Sequence, residues 1–533
     1  MRKHLSLLVL ACLAGAGVAN AVPDSFSQGY DIIKEAKGTP KLYYKKAAGY
    51  YPANYQRNYF EIDNAAAKIY FADNNEVYFY NIVTYGFFDS YVKGTLDGNR
   101  ITVDFPQTVY DEVNWGYSYN LCIMKYTEDD PYATDGWTYT PTDLESVTFL
   151  INDDGSITLE LPGDEYVSGT KGEYCLGYMY TDTLGSTGYL DFFQEYTPIE
   201  QELAYIPENL ETTEYSFIVD NGGYFVNVAK DDNYVYVQGL SNITPQFTIK
   251  AKLENGMASV PMNQISGILG INFMYTKCLE FDEAQEKFIL APDADYVFEV
   301  TDNSITAVDP DIYFCFNGST DAILTNGIYI YDNIVLDKKN VTGPMTPQNP
   351  YGLAWDESTI AQLHFPSFQF FVSNVSTDGR LMLNENLYYK IYMNGSLFTF
   401  KPNASLYHYP DLEEATTEVP YDFNNNYDIA AFSITEREVG LRPEGIETVG
   451  VSLLYKDGDT VTESEIVTLN IETGEITPNP DAALGEINAD YEVVGTEYLT
   501  VGGLKVSHPE KGIYIKRDKL SDGSVKVSKI RIL

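Results

Sequence analysis

The sequence predicts an all-β protein built of tandem β-sandwiches, and three observations carry that prediction. Apolar and polar residues alternate in short runs along most of the chain, as in "EVYFYNIV" (76–83), "RITVDF" (100–105), "SITLEL" (156–161), "YVYVQGL" (234–240) and "LYYKIYM" (387–393). That is the period of a strand with one buried face. Asx-Gly pairs separate such runs at Asp97-Gly98, Asp154-Gly155, Asn255-Gly256, Asp378-Gly379, Asp457-Gly458 and Asp522-Gly523, and they supply the positive φ that tight hairpins need. Tyrosine is abundant, at 46 residues against three Trp, and its ring packs on a pleated face while its hydroxyl reaches water. Helical periodicity is nearly absent.

In chain order, the first element is a leader. "MRKH" is cationic, "LSLLVLACLAGAGV" is apolar, and Ala19-Asn20-Ala21 fits small-x-small cleavage. Residues 1–21 therefore read as a signal peptide and Val22 as the mature start. The competing reading attaches lipid at Cys12, but Val9-Leu10-Ala11 is a weak lipobox. The apolar run is too short to span a bilayer and no later stretch is long enough, so no transmembrane helix is expected. The expected location is secreted or on the outer cell surface.

Next come two copies of one β-domain, 22–201 and 202–341. "EVYFYNI" followed by "YVKGTLDGNRITVDFPQ" is matched by "YVYVQGL" followed by "TIKAKLENGMASVPMNQ". The step from Val77 to Lys93 is 16 residues and from Val235 to Lys250 is 15. Cysteines obey the same repeat. Cys122 lies 15 residues after Gln107 and Cys278 lies 14 after Gln264, while Cys175 and Cys315 follow Ile157 and Ile305 by 18 and 10. In an exported chain this permits one disulfide per copy, Cys122 with Cys175 and Cys278 with Cys315. Four buried thiols are the alternative. No cysteine spacing matches a metal site.

Behind "GPMTPQNP" (343–350) the texture changes. Trp355 precedes a "LHFP" strand, "YKIYMNG" is central, and a hairpin ends at "TESEIVTL". Residues 342–472 resemble a fibronectin type III module, which implies an immunoglobulin-like sandwich. A linker follows at 473–486, and the last segment is 487–533. Its final stretch, 499–533, holds eight Lys or Arg against three acids in a chain of formal charge −43. Gly502-Gly503, Leu504-Lys505-Val506, Pro509, Lys511-Gly512-Ile513-Tyr514-Ile515 and the closing "VKVSKIRI" resemble the C-terminal sorting domain of the type 9 secretion system of Bacteroidetes. The usual Asn-Leu-x-Gly opening is replaced by Thr500-Val501-Gly502-Gly503. The resemblance implies a small β-domain read by secretion machinery through residues such as Gly503, Lys505, Val506, Gly512, Ile513 and Tyr514. The whole chain also resembles uncharacterised secreted β-sandwich proteins of that group.

Chemistry is sparse. The 34 basic and 77 acidic residues argue against nucleic acid as a partner, since phosphates would be repelled. His364, His408 and His508 have no nucleophile placed beside them. Neither a nucleophile elbow nor a metalloprotease helix occurs, and no cofactor or metal is implied. The binding candidate is the stretch 111–141, which concentrates Trp115, Tyr117, Tyr119, Tyr132 and Trp137 with Asp130 and Asp135. Rings beside carboxylates can stack on sugar faces and bond sugar hydroxyls. The alternative is that they fill the core and solvate loops. Acidic loops such as "NDDG" suggest Ca²⁺, but turn chemistry explains them equally well. Three functional readings follow: a non-catalytic surface or secreted binding protein for a glycan or host protein, a structural spacer without a pocket, and a carboxylate-dependent glycoside hydrolase.

Overall fold

Two β-rings of one topology account for the repeat. The structure, a computed structural model, describes residues 30–53, 56–112, 117–128, 137–180, 187–219, 222–241, 244–319, 322–323, 330–356, 366–401, 414–421, 435–441, 445–478, 493–500, 506, 512–520 and 525–532. The signal peptide expected at 1–21 lies outside them. The chain divides into two units. One runs up to Leu203 and includes Gly267–Met274, and the other comprises Ala204–Ser266 and the chain from Tyr275 on.

The first copy contributes β1 (Thr39–Ala53), β2 (Gln56–Phe71), β3 (Glu76–Tyr80), β4 (Tyr91–Asp97), β5 (Arg100–Asp104), β6 (Gln107–Glu112), β7 (Tyr117–Glu128), β8 (Trp137–Pro141), β9 (Ser146–Ile151), β10 (Ile157–Glu160), β11 (Tyr174–Tyr180) and β12 (Thr187–Pro198). Strands β1-β2-β3-β4-β5-β9-β10-β12 are hydrogen-bonded in that order, and β12 pairs back with β1. A side sheet continues from β12 through β11, β7 and β6, with β8 on β7. Bulges bend β1 between Lys45 and Ala47 and between Ala48 and Gly49, which helps a long strand turn the corner of a ring. Val77, Phe79, Val92, Ile101, Val103, Phe149, Ile157 and Tyr196 fill the interior.

The second copy contributes β13 (Thr213–Val219), β14 (Gly222–Lys230), β15 (Tyr234–Gln238), β16 (Thr248–Glu254), β17 (Met257–Val260), β18 (Ile265–Leu269), β19 (Asn272–Asp282), β20 (Lys287–Leu290), β21 (Tyr296–Val300), β22 (Ser304–Ala307), β23 (Tyr313–Asn317), β24 (Ile330–Tyr331) and β25 (Val335–Lys338). Strands β13-β14-β15-β16-β17-β21-β22-β25 form a closed barrel, with β18-β19-β23-β24 and β20 beside it. This is the order of the first copy, strand for strand. Even burial repeats: β3 and β15 each bury their three middle residues. One bond pattern repeats as well. Gln107 bonds the Lys93 N–H and C=O at 2.8 Å each, and Gln264 bonds those of Lys250 at 2.7 Å each.

The repeats are therefore closed barrels where sandwiches were expected. Alternation marks strands with one buried face, but it does not say whether the two edges of a sheet meet. That depends on pairings such as Tyr43 with Pro198 and Phe217 with Leu336, between residues far apart in sequence.

In the third segment β26 (Tyr351–Asp356), β27 (Ser367–Phe371), β28 (Leu387–Met393), β29 (Ser396–Leu397), β30 (Val419–Pro420), β31 (Glu436–Gly440), β32 (Thr448–Asp457), β33 (Thr460–Glu463), β34 (Val467–Asn470) and β35 (Ile476–Thr477) form two sheets. One is β26-β27-β31; the other is β29-β28-β32-β34-β35, with β30 on β28 and β33 on β32. Leu353, Phe368 and Phe370 from the first pack with Leu387, Tyr389, Ile391, Val449 and Leu453 from the second in one core. The last segment is a three-stranded antiparallel sheet of β36 (Val493–Thr500), β37 (Gly512–Leu520) and β38 (Val525–Ile532). Among the described residues no helix is long and apolar enough to cross a membrane.

Candidate functional site: a cation-capped aromatic cluster

Of the residues singled out in 111–141, Trp115, Asp130, Tyr132 and Asp135 lie outside the described residues, and Tyr117 is placed only as the first residue of β7. Tyr119 and Trp137 are both buried, Trp137 with 9% of its surface exposed. They do not share one cluster. Tyr119 packs against the barrel core near Phe88 and Tyr110.

Trp137 belongs to a smaller cluster on the side sheet. It opens β8, which pairs with β7 so that Trp137 faces Glu128 and Tyr139 faces Tyr126. Around it stand Tyr50 from β1 (5.2 Å between ring centroids), Tyr126 (5.9 Å) and Tyr139 (6.0 Å, edge-on). Phe192 from β12 stacks on Tyr139 at 5.5 Å. Edge-on and offset contacts of this kind suit the ring quadrupole. Tyr139 donates its hydroxyl to the Gly172 carbonyl at 2.6 Å, and burial pushes its pKa far up.

Two cations cover the indole. Lys171 Nζ lies 4.0 Å from its ring centroid and Arg57 Cζ 4.5 Å, and Arg57 also donates to the Trp137 carbonyl at 2.8 Å. This desolvates the ring face and replaces water with guanidinium and ammonium. A bare platform for a sugar is thus not what Trp137 presents.

Exposed groups sit beside it. Arg57, Tyr59 and Glu61 alternate along β2, and Tyr59 is 40% exposed. Glu61 gathers the segment between β10 and β11. Its carboxylate accepts the Tyr59 hydroxyl, the Tyr166 hydroxyl at 2.7 Å, the Ser168 hydroxyl at 2.8 Å and the Gly169 N–H at 2.8 Å. These donors hold its pKa down at about 2, so Glu61 is a fixed acceptor and a poor general acid. Sequence reasoning missed Arg57, Tyr59, Glu61, Tyr166 and Lys171. The i, i+2 spacing on β2 was a usable signal, but what brings residues 166–171 to it is tertiary.

A second candidate is a groove on the larger sheet of the third segment, lined by Tyr392, Glu463, Glu465, Ile466, Thr468 and Pro478. Glu463 is engaged there by Lys390 Nζ at 2.9 Å and the Ser452 hydroxyl at 2.7 Å. Asp154 of the "NDDG" loop caps its own turn, accepting from Ser156 N–H at 2.9 Å and its hydroxyl at 2.7 Å. Among the described residues no group of three His, Cys, Asp or Glu is gathered to hold a metal ion. All four histidines lie outside the described residues.

Of the two readings open for the cysteines, the structure has the buried thiols: the four among the described residues, Cys122, Cys175, Cys278 and Cys315, are free and buried. In the second copy the register gives the reason. Cys278 faces Phe314 while Cys315 faces Lys277, so the two thiols point to opposite faces of the side sheet. Cys122 faces Gly177, and Cys175 faces Met124. Those two share a face as diagonal neighbours inside the Trp137 cluster.

Of the tail motif, Gly503 and Lys505 lie outside the described residues. Val506 N–H donates to the Tyr498 carbonyl at 2.6 Å. Gly512, Ile513 and Tyr514 open β37, paired with Ile532, Arg531 and Ile530. In comparisons with known proteins, no protein-family model matches the chain, and no curated protein matches it.

Proposed function

We propose that the chain is an exported surface or secreted binding protein that takes a glycan on the rim of the Trp137 cluster. The observation that carries this reading is Tyr59. The residue is 40% exposed, yet its side chain is fixed from two sides, by Tyr50 at 5.6 Å and by the Glu61 network. A preorganised ring costs little entropy when a sugar stacks on it. Lys171 and Arg57 beside it supply donors for sugar oxygens, in a chain whose formal charge is −43.

The same proposal takes Val22 as the mature start and the 487–533 segment as a sorting-type domain addressed to secretion machinery. Two antiparallel sheets that share one core, β26-β27-β31 and the larger sheet built on β28, β32 and β34, support the fibronectin type III reading. A host surface protein is the alternative ligand. The spacer reading draws on the filled barrel interiors, which leave surfaces as the places to bind. The hydrolase reading would need a carboxylate free to donate a proton, and Glu61 is not one.

The test is a glycan array probed with the full mature chain and with Tyr59→Ala and Lys171→Ala variants. Binding to a subset of glycans that falls at least tenfold in both variants supports the proposal. No binding, or binding indifferent to both changes, overturns it in favour of a protein ligand or a spacer.

A further inference from the structure

The seam that closes the second ring is apolar at its centre, where Phe217 meets Leu336. The seam of the first ring is not. Lys45 on β1 and Asp191 on β12 lie there with 1% and 0% exposure, Nζ standing 3.8 Å from Oδ2.

The two oxygens of Asp191 have unlike surroundings. Oδ2 receives the Thr84 N–H at 2.9 Å, the Thr84 hydroxyl at 2.7 Å and the Gln194 amide at 2.6 Å. Oδ1 is buried and has no hydrogen-bond partner. Gln194 is itself oriented, since its carbonyl accepts the Tyr196 hydroxyl at 2.7 Å and its amide also reaches the Ile82 carbonyl at 2.7 Å. Lys45 Nζ has the carbonyls of Asn81 and Ile82, each at 3.2 Å, and the Tyr196 ring at 5.7 Å. Burial lowers the Lys45 pKa to about 8 and raises that of Asp191. Both shifts favour the neutral amine and the neutral acid.

We propose that Lys45 and Asp191 join in an intramolecular isopeptide bond that staples β1 to β12. As Nζ closes the 3.8 Å gap to the carboxylate, a proton passes from the ammonium to the unpartnered Oδ1, which leaves an amine beside a carboxylic acid. The Nζ lone pair adds to Cγ, and negative charge builds on Oδ2. The three donors from Thr84 and Gln194 already point there, as preorganised donors do in an oxyanion hole. The unpartnered Oδ1 takes a second proton from nitrogen and departs as water. One C–N bond forms, one C–O bond breaks, and no electrons are gained or lost. In the product Oδ2 becomes the amide oxygen and keeps its donors.

The bond would tie the first strand of the first ring to its last, enclosing nearly all of that copy in one covalent loop. Long closed loops restrict the unfolded chain most, a useful property for a module exposed to pulling or proteases.

The test uses the full chain, denatured, with intact and peptide-level mass spectrometry. The expected result is a chain lighter by one water, with a branched peptide that joins Lys45 to Asp191. Lys45 then resists both trypsin and an acetylating reagent in denaturant. Asp191→Ala restores the full mass. Because the unsubstituted chain is itself decisive, misfolding of that variant costs nothing. A full-mass chain whose Lys45 is acetylated in denaturant overturns the proposal and leaves a buried ion pair. Loss of water mapped to another position overturns it too.

Discussion

Gln107 holds Lys93 by both ends of one amide, Oε1 accepting the Lys93 N–H and Nε2 donating to its C=O, each at 2.8 Å. The side chain stands where a strand should. Lys93 pairs with Tyr78 on one side, but on the other the β4–β5 ladder begins only at Thr95. Gln107 supplies the missing ladder bonds, and Gln264 does the same for Lys250. Gln107→Ala should cost about 1 kcal/mol and Gln264→Ala, at a less exposed site, about 1–3 kcal/mol. Replacement by Glu should cost at least as much as Ala, because a carboxylate cannot donate to the carbonyl. Urea denaturation of each variant measures this, and equal stability of all variants would show that water replaces both bonds.

Glu61 makes stability depend on acid. Its pKa falls from 4.5 to about 2 because Tyr59, Tyr166, Gly169 and Ser168 all donate to it. A folded-state pKa below the unfolded one adds stability that is complete above pH about 4.5 and is lost as pH falls toward 2. The 162–173 segment should therefore become easier to cleave across that window. Limited proteolysis with an acid-active protease follows it, against Glu61→Gln as reference. The variant should be cleaved faster at the upper end of that window, near pH 4.5, and change less on further acidification. Identical profiles would mean that Glu61 does not hold the segment.

Thiol chemistry checks the register. Burial lifts the Cys278 and Cys315 pKa values to about 12, so both should resist alkylation in the native chain and react once it is denatured, with no reductant added. Alkylation followed by peptide mass analysis reads this directly. A Cys278–Cys315 disulfide would require β19 and β23 to slip by one residue, which would turn one strand's side chains to the other face.

How much of this was legible beforehand differs by level. Strand runs and their turns were legible, because alternation and Asx-Gly pairs are local. The repeat was legible in Val77, Lys93 and Gln107 against Val235, Lys250 and Gln264, since these positions keep equivalent roles in the two rings. Ring closure was not, because Tyr43 and Pro198 carry no local sign of each other. The site was half legible. Trp137 marked the cluster, but its cover comes from Arg57 and Lys171, far away in sequence. Lys45 left a trace: alternation puts it on the inward face of β1 with Tyr43 and Ala47, but its charge reads as surface, and its partner Asp191 is far away in sequence.

Gly49 offers the sharpest test of ring closure. It follows the bulge on β1 and pairs with Asp191 on β12. A Cβ built on it would lie 1.7 Å from the Leu190 carbonyl oxygen and 3.1 Å from the Asp191 Cα. Those are backbone atoms that no rotamer change can move, so β1 and β12 would have to separate. Forced overpacking of this kind costs about 3 kcal/mol. Gly98 sits in the β4–β5 turn with nothing near its Cβ position, though with φ at 62°, and Gly98→Ala should cost about 1 kcal/mol. Thermal unfolding of the two variants compares them at matched chemistry. A larger drop for Gly49→Ala means that the β1–β12 seam bears on the stability of the whole first unit. Equal drops would mean that the seam opens at little cost and that the ring is held by its other strand pairs.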